Sequence, residues 1–141
     1  MNPRSPLVDP ASSVLGVGTD MVEVEMVRAA LARRPGLRER IFTADEWAFA
    51  ERHKDPFPHL AARFAAKEAT MKALGQGMSR IRFSDVEVRR DGSAPWLVLH
   101  STAASAARAA GVGGWHVSLT HTRSIAHAIA IAVDSPPVMS Q

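Results

Sequence analysis

Residues Ile125–Val133 alternate strictly between large side chains and alanine. Successive side chains of a β-strand point to opposite faces, so this stretch predicts a strand with one bulky face and one face made only of alanine. A face of alanines lets a helix approach the sheet closely. A second strand pattern at residues 115–124 comes just before it, and the two predict a pair that ends the fold. We therefore expect an α+β domain with a small, mostly antiparallel sheet packed against helices.

An alanine-rich helix that carries charges of both signs is predicted over residues 59–74. Residues four apart share a helix face, which places Glu68 beside Lys72. The same spacing places Arg63 beside Lys67. A carboxylate and several cations would then line one rim, as in half of an active site. The pattern is equally that of an ordinary solvated helix with surface ion pairs, and spacing alone does not separate the two interpretations.

Two other segments place polar side chains at predicted strand ends. Within residues 14–23, an apolar strand pattern passes two glycines and reaches its end at Asp20. A helix pattern follows almost directly. An aspartate in that position is also a common helix cap. Residues 115–124 lead to His121 and Thr122 at the following turn. These polar residues are candidates for a functional site.

Together, these segments resemble the holo-(acyl-carrier-protein) synthase type of 4′-phosphopantetheinyl transferase. The resemblance rests on the Gly-x-Gly-x-Asp of residues 16–20, the Arg-Phe-Ala-Ala-Lys-Glu-Ala-x-x-Lys-Ala of residues 63–73 and the Val-Ser-Leu-x-His-Thr of residues 117–122. Residues 40–46 are a fourth and weaker match. The order and rough spacing of the motifs agree, and the resemblance covers the chain from about Val14 to about Val133.

The resemblance implies a fold, a reaction and partners. Proteins of this type are compact homotrimers that transfer 4′-phosphopantetheine from coenzyme A to a serine of an apo acyl carrier protein. They use magnesium and release adenosine 3′,5′-bisphosphate. Met26 stands where relatives commonly carry an arginine that meets acidic carrier residues, and Arg28 is an alternative that faces another direction on the helix. The sequence therefore does not choose between a fatty-acid carrier and a carrier of secondary metabolism.

The same resemblance implies roles for individual residues. Asp20 and Glu68 would bind magnesium. Glu68, or a metal-bound water next to it, would take the proton from the carrier's serine. Lys72 would neutralise the diphosphate and help the leaving group depart, and the sequence leaves open whether Lys67 takes part. The residues expected to bind the phosphates of coenzyme A are Arg63, Lys72, His121 and Thr122.

Several residues have simpler interpretations. Residues 43–46 form a capping box, so Glu46 is expected to cap a helix and not to catalyse. His116, His121 and His127 crowd together in sequence, but their spacing matches no helical zinc signature and no cysteine assists them. The other three histidines, His53, His59 and His100, carry no motif and are assigned no function. The alternative function is a catalytically silent module that binds coenzyme A or a carrier protein, and the intact motifs oppose it.

Composition limits the class of protein. A chain of 141 residues with 46% hydrophobic and 22% charged residues suits one soluble domain. It has no cysteine, which excludes disulfides and thiolate metal sites. The net charge of +3 fits an anionic partner, but the basic residues are scattered and no long apolar segment occurs, so we expect neither nucleic acid nor membrane binding. We expect a flexible arm at residues 1–13, the transferase domain at 14–133, a flexible tail at 134–141 and a cytoplasmic location.

Overall fold

The computed structural model describes residues 13–76 and 80–134 of the chain. The arm and tail predicted from the sequence therefore lie outside the described residues, apart from Ser13 and Asp134. In chain order, the elements are β1 (Val14–Glu23), α1 (Val24–Arg33), α2 (Leu37–Ile41), α3 (Ala44–Glu51), α4 (Phe57–Ala73), β2 (Val86–Arg89), β3 (Trp96–Leu99), α5 (Ser101–Ala109), β4 (Gly114–His121) and β5 (Ile125–Val133). A single 3₁₀ turn, Phe83–Asp85, precedes β2.

The main sheet has three antiparallel strands in the order β1-β5-β4. The long helix α4 covers one face of this sheet, where its alanines meet those of the central strand. The alanines of β5 are fully buried there: Ala126, Ala128, Ala130 and Ala132. The predicted alanine face and the helix that packs against it are confirmed, as is the α+β class with antiparallel sheets.

Two glycines of β1 allow this strand to touch α4. A Cβ atom added at Gly16 would lie 2.0 Å from the carbonyl oxygen of Ala73, and one added at Gly18 would lie 1.8 Å from that of Ala69. No side chain fits in these gaps, so strand and helix meet backbone to backbone. This contact places the residue that follows on the same face of β1, Asp20, beside the C-terminal half of α4.

The remaining elements enclose the rest of the core. β2 and β3 form an antiparallel pair, and α1 buries Val24 and Leu31, as its helical spacing predicts. The predicted capping box is present: Thr43 accepts a hydrogen bond from the Glu46 backbone N–H, and the Glu46 side chain accepts one from the Thr43 N–H. Gly75, just beyond α4, has φ +67°, a left-handed conformation suited to ending a helix.

Local predictions fail at three places. The short helix α2 has no counterpart in the sequence analysis, because five residues with no buried side chain leave too little periodicity to detect. Residues 83–85, predicted as part of a strand, form the 3₁₀ turn. Pro58, predicted to lie in a break, is inside the first turn of α4. A proline is tolerated there because the first N–H groups of a helix have no intrahelical partner.

The face of the main sheet opposite α4 is open and carries several exposed apolar side chains. Val17 is 55% exposed, Met21 is 66% exposed and Ile125 is 39% exposed. Polar residues such as Thr19 and His127 lie between them on the same face. Large apolar side chains exposed on one sheet face are typical of an interaction site. Among the described helices, none is both long enough and apolar enough to cross a membrane.

Candidate active site

Asp20, Glu68 and Lys72 meet where β1 passes α4. The sequence predicts that Asp20 ends a strand and borders a helix, and both predictions need correction. β1 continues for three residues beyond Asp20, and Glu23 is the residue that precedes α1. Asp20 shares a strand face with Gly18, so its side chain is directed towards α4 and does not cap α1.

Lys72 forms an ion pair with Asp20. Its Nζ lies 3.3 Å from Asp20 Oδ1 and donates a hydrogen bond to the Thr19 carbonyl oxygen at 3.0 Å. The side chain of Lys72 is 56% exposed, whereas that of Asp20 is 13% exposed. The ammonium group thus neutralises Asp20 and still faces solvent, where it can meet an anionic group of a substrate.

Glu68 lies beside Asp20, and the two carboxyl groups interact. Burial, followed by the neighbouring Asp20 carboxylate, raises the pKa of Glu68 to about 7, and Lys72 opposes this shift. Asp20 Oδ2 is buried without a hydrogen-bond partner among the described residues. Adjacent carboxylates with an unpartnered buried oxygen are costly unless a cation joins them. Oxygen ligands of this kind suit a hard divalent cation such as magnesium, so the residues present fit that ion.

Two carboxylates are few ligands for a metal ion. Within residues 13–76 and 80–134, no group of three or more His, Cys, Asp or Glu side chains is placed to hold a metal ion. A magnesium ion between Asp20 and Glu68 would therefore take its remaining ligands from water and from the substrate. Such partial coordination is common for magnesium in enzymes that act on phosphates.

Arg63 and His121 belong to a second cluster, near the start of α4. A cavity of about 290 Å³ opens there, and the residues that line it include Phe49, His53, His59, Arg63, Arg90 and His121. Arg63 is buried, with its guanidinium 4.1 Å above the ring of Phe49. Burial lowers the pKa of Arg63 to about 10, and its Nε has no hydrogen-bond partner among the described residues. None of the described lining residues carries a carboxylate, so the cavity suits an anion.

Thr122 follows His121 in the turn between β4 and β5. Its hydroxyl oxygen accepts hydrogen bonds from the backbone N–H of Ile125 at 3.1 Å and from that of Ser124 at 3.3 Å. The Thr122 N–H also donates to the Ile125 carbonyl oxygen at 2.8 Å. Thr122 therefore shapes the turn that carries His121.

The two clusters face different sides of one chain. Arg63 and Glu68 are five residues apart on α4, which corresponds to about 7.5 Å along the helix and about 140° around it. In the sheet, β5 separates the strand of Asp20 from the strand of His121. The predicted single rim of a carboxylate and several cations is therefore wrong, because only Glu68 and Lys72 share it.

Lys67, like Arg63, does not belong to the rim that holds Glu68 and Lys72. It is fully buried, and its Nζ lies 2.7 Å from Glu46 Oε1 and donates hydrogen bonds to the carbonyl oxygens of Phe83 and Val86. Glu46 Oε2 accepts a further hydrogen bond from the Val88 N–H. Burial lowers the pKa of Lys67, and Glu46 opposes that shift. The pair joins α3, α4 and β2 and leaves Lys67 no access to a phosphate.

The sequence missed two residues of the second cluster. His53 and His59 line the same cavity as His121, and their rings stack at 3.6 Å between centroids. His53 lies in the loop between α3 and α4, and His59 lies in the first turn of α4. No spacing rule connects these residues with the end of β4. The one local signal is that His59 precedes Arg63 by four residues on α4, which places both on the same helix face.

The exposed side of α1 carries Met26 where the family resemblance implies an arginine. Met26 is 65% exposed. Arg28 is already paired: Nη2 lies 3.0 Å from Asp55 Oδ2, and Nε lies 3.1 Å from Glu25 Oε2. Its guanidinium also lies 4.5 Å above the ring of Phe57. These contacts engage the charge of Arg28 within the chain, so α1 presents an apolar side chain at this point.

Comparison with known proteins adds three kinds of finding. The sequence profile of the 4′-phosphopantetheinyl transferase superfamily matches residues 16–130. A holo-[acyl-carrier-protein] synthase of Moorella thermoacetica is 42% identical over 123 residues, which cover 86% of this chain and 96% of that protein. The structure of a holo-(acyl-carrier-protein) synthase from Bacillus anthracis in complex with CoA (3′,5′-ADP) is similar with a TM-score of 0.71 and 30% identity, and covers 89% of this chain and 100% of that one. The Plasmodium yoelii acyl carrier protein synthase with ADP bound gives a TM-score of 0.81 at 26% identity, over 89% and 99% of the two chains.

Proposed function

This chain belongs to the 4′-phosphopantetheinyl transferase superfamily and acts as a holo-[acyl-carrier-protein] synthase, and on that basis we propose that Asp20, Glu68 and Lys72 form its catalytic centre. The enzyme transfers 4′-phosphopantetheine from coenzyme A to a serine of an apo acyl carrier protein. The observation that carries the proposal is the pair of carboxyl groups with one buried, unpartnered oxygen beside a half-exposed lysine.

We assign the magnesium ion of the reaction to Asp20 and Glu68. The buried Asp20 Oδ2 has no donor among the described residues, and the Glu68 carboxyl lies next to it, so a cation between them would satisfy both. Asp20 and Glu68 would hold the ion, which would supply electrostatic stabilisation for the negative charge that develops on the leaving phosphate. The main chain of α4 and the glycine contacts of β1 hold the two carboxylates at a fixed separation.

Glu68 and Lys72 perform the steps around the transferred phosphate. The serine hydroxyl of the carrier attacks the phosphorus that bears the pantetheine, and the bond to the adenosine-side phosphate breaks. Glu68 accepts the hydroxyl proton, because its carboxylate lies next to Asp20 and Lys72 in the site. Lys72 faces solvent next to Asp20 and donates hydrogen bonds to the departing phosphate. The products are the holo carrier and adenosine 3′,5′-bisphosphate.

The cavity of the second cluster holds another phosphate of coenzyme A in this proposal. Arg63 contributes a buried guanidinium with an unpartnered Nε, and His121 contributes an exposed imidazole. Thr122 supports His121 through its hydrogen bonds in the turn. Lys72 binds the diphosphate from the first cluster. Arginine suits this task because its planar guanidinium binds phosphate oxygens in pairs.

A homotrimer resolves the separation of the two clusters. Within one chain they face different sides, so one coenzyme A molecule meets both only if two protomers contribute. The open sheet face exposes the apolar side chains of Val17, Met21 and Ile125, which suit contact with further copies of the chain. We therefore propose that sheets of three protomers pack through this face and that each active site lies between two protomers.

The first experiment measures the intact mass of an apo acyl carrier protein after incubation with this enzyme, coenzyme A and magnesium. We expect a phosphopantetheine adduct that forms only when magnesium is present. Glu68→Gln and Asp20→Asn should each lower the rate of its formation by at least about 10²-fold. Glu39→Gln, which changes an exposed carboxylate on α2, is the matched control and should retain activity. Full activity of Glu68→Gln would refute the catalytic assignment. Coenzyme A binding without transfer to any of several carriers would favour the silent binding module.

A second experiment tests the assembly. Met21→Glu places a charge on the open sheet face and should convert the trimer into monomers, as measured by light scattering at known concentration. Circular dichroism should show an unchanged fold, since Met21 is mostly exposed within one chain. Transfer activity should disappear with the trimer. A monomeric Met21→Glu enzyme that remains fully active would contradict the shared site and leave the catalytic assignment intact.

A further inference from the structure

The cavity near the start of α4 contains an aromatic cluster that the transfer reaction does not explain. The rings of His53 and His59 stack face to face at 3.6 Å with an interplanar angle of 24°. His59 also meets His121 edge to face, at 4.9 Å and 75°, and Phe49 at 6.0 Å and 73°. Edge-to-face contacts at the separations of the His59–His121 and His59–Phe49 pairs are favourable. His59 is the member that contacts all three other rings.

The cluster is anchored at one end and free at the other. His53 Nδ1 lies 3.2 Å from the Phe49 carbonyl oxygen, one helical turn earlier on α3. His59 is half-buried in the first turn of α4. His121 is exposed at the end of β4, and its side chain hydrogen-bonds no described residue. Among the described aromatic rings, that of His59 is the one in contact with His121.

We propose that His59 is a positioning residue, whose ring holds His121 in the orientation in which His121 binds a phosphate of coenzyme A. This inference rests on the proposed function of His121. His59 itself is not a phosphate ligand, because its ring is covered by His53 on one side and by Phe49 and His121 at its edges. It acts through shape and not through charge.

The charges around His59 agree with this role. Burial, followed by His53, His121, Arg63 and Arg90, lowers the pKa of His59 to about 4. These groups come from the loop after α3, from α4 and from the ends of β2 and β4, and all of them are basic. His59 therefore stays neutral near pH 7, and a neutral ring adds no charge to the basic groups that surround it.

The test compares three substitutions of His59 in the full enzyme. We expect His59→Ala and His59→Gln to raise the KM for coenzyme A about fivefold to tenfold while kcat stays within twofold, since one ring contact is lost. His59→Phe keeps the ring and should remain within twofold of the unchanged enzyme. His100→Ala removes a half-exposed histidine outside the cavity and is the control. Thermal unfolding of each variant identifies any that fails to fold.

A double-mutant cycle separates positioning from general stabilisation. If His59 acts through His121, then His59→Ala should add no further loss to His121→Ala. The readout is the Kd of adenosine 3′,5′-bisphosphate by calorimetry, which does not require transfer. An additive loss, a His59→Phe enzyme as weak as His59→Ala, or an unchanged KM in His59→Ala would each overturn the inference. Absence of transfer by the unchanged enzyme with an intact binding cycle would instead contradict the proposed function alone.

Discussion

Substituting Gly18 by alanine tests the contact that assembles the catalytic centre. The added Cβ would lie 1.8 Å from the Ala69 carbonyl oxygen, 1.2 Å short of the 3.0 Å below which such contacts essentially never occur. It would also lie 2.9 Å from the Ala73 backbone nitrogen. Since all these atoms belong to backbone, no side-chain rotation relieves the clash, and β1 must move away from α4. Overpacking typically costs 1–3 kcal/mol, and we expect about 3 kcal/mol or more here.

Two measurements follow this substitution. A loss of about 3 kcal/mol should lower the Tm by roughly 6–12 °C in a domain of this size, as recorded by circular dichroism. The same displacement moves Asp20 away from Glu68 and Lys72, and an error of about 1 Å in a catalytic group lowers kcat/KM by about 10²-fold.

The matched control is Gly36→Ala. Gly36 has φ −65° and ψ −14°, and within residues 13–76 and 80–134 no atom lies within 4 Å of an added Cβ. This variant should be as stable as the unchanged protein or gain about 0.4–1 kcal/mol, because alanine restricts the unfolded chain. If the free energies of unfolding of Gly18→Ala and Gly36→Ala differ by less than about 1 kcal/mol, then β1 can move away from α4 at little cost. That result would refute the claim that the close contact requires glycine at position 18.

Three further predictions concern the other buried contacts. Lys67→Met leaves Glu46 without its charged partner in the core and should lower the free energy of unfolding by about 3–5 kcal/mol, as measured with urea. A loss below about 1 kcal/mol would show that the ion pair does not stabilise the contact between α3 and α4. Thr43→Ala removes the cap of α3 and should cost about 1 kcal/mol in the same assay; no loss would mean that the capping box contributes nothing. Because burial lowers the pKa of His59 from 6.5 to about 4, the unfolded chain binds this proton first as the pH falls. The contribution of neutral His59 to the free energy of unfolding should therefore be fully present above pH 6.5. The free energy of unfolding should decrease by about 1–2 kcal/mol as the pH falls towards 4, after allowance for partial exposure of the ring. His59→Phe should lose that part of the pH dependence, and identical pH profiles of the two proteins would contradict the pKa shift.

The main packing contact was readable in the sequence. Strict alternation of alanine in β5, the alanine-rich pattern of α4 and the glycines of β1 are local signals, and they describe two surfaces that lack bulky side chains. Such surfaces have one good solution, a close approach of helix and sheet. The capping box at Thr43 is also a local pattern, since its two hydrogen bonds join residues three apart. The motifs that resemble the family are also short stretches of sequence, and they predicted the function.

The direction of the charged side chains on α4 depended on tertiary contacts. Helical spacing treats Lys67 and Lys72 as similar cations, yet Lys67 is buried against Glu46 and Lys72 faces solvent beside Asp20. The contacts that separate them, with Glu46 from α3 and Asp20 from β1, join residues 21 and 52 positions apart.

The ring cluster of His53, His59 and His121 likewise forms only because α3, α4 and the end of β4 converge. The sequence by itself therefore determined the packing surfaces and the family motifs, which are encoded within short windows. The tertiary structure alone decided which charges are buried, which reach the substrate and which histidines meet, because these outcomes depend on neighbours that are distant along the chain.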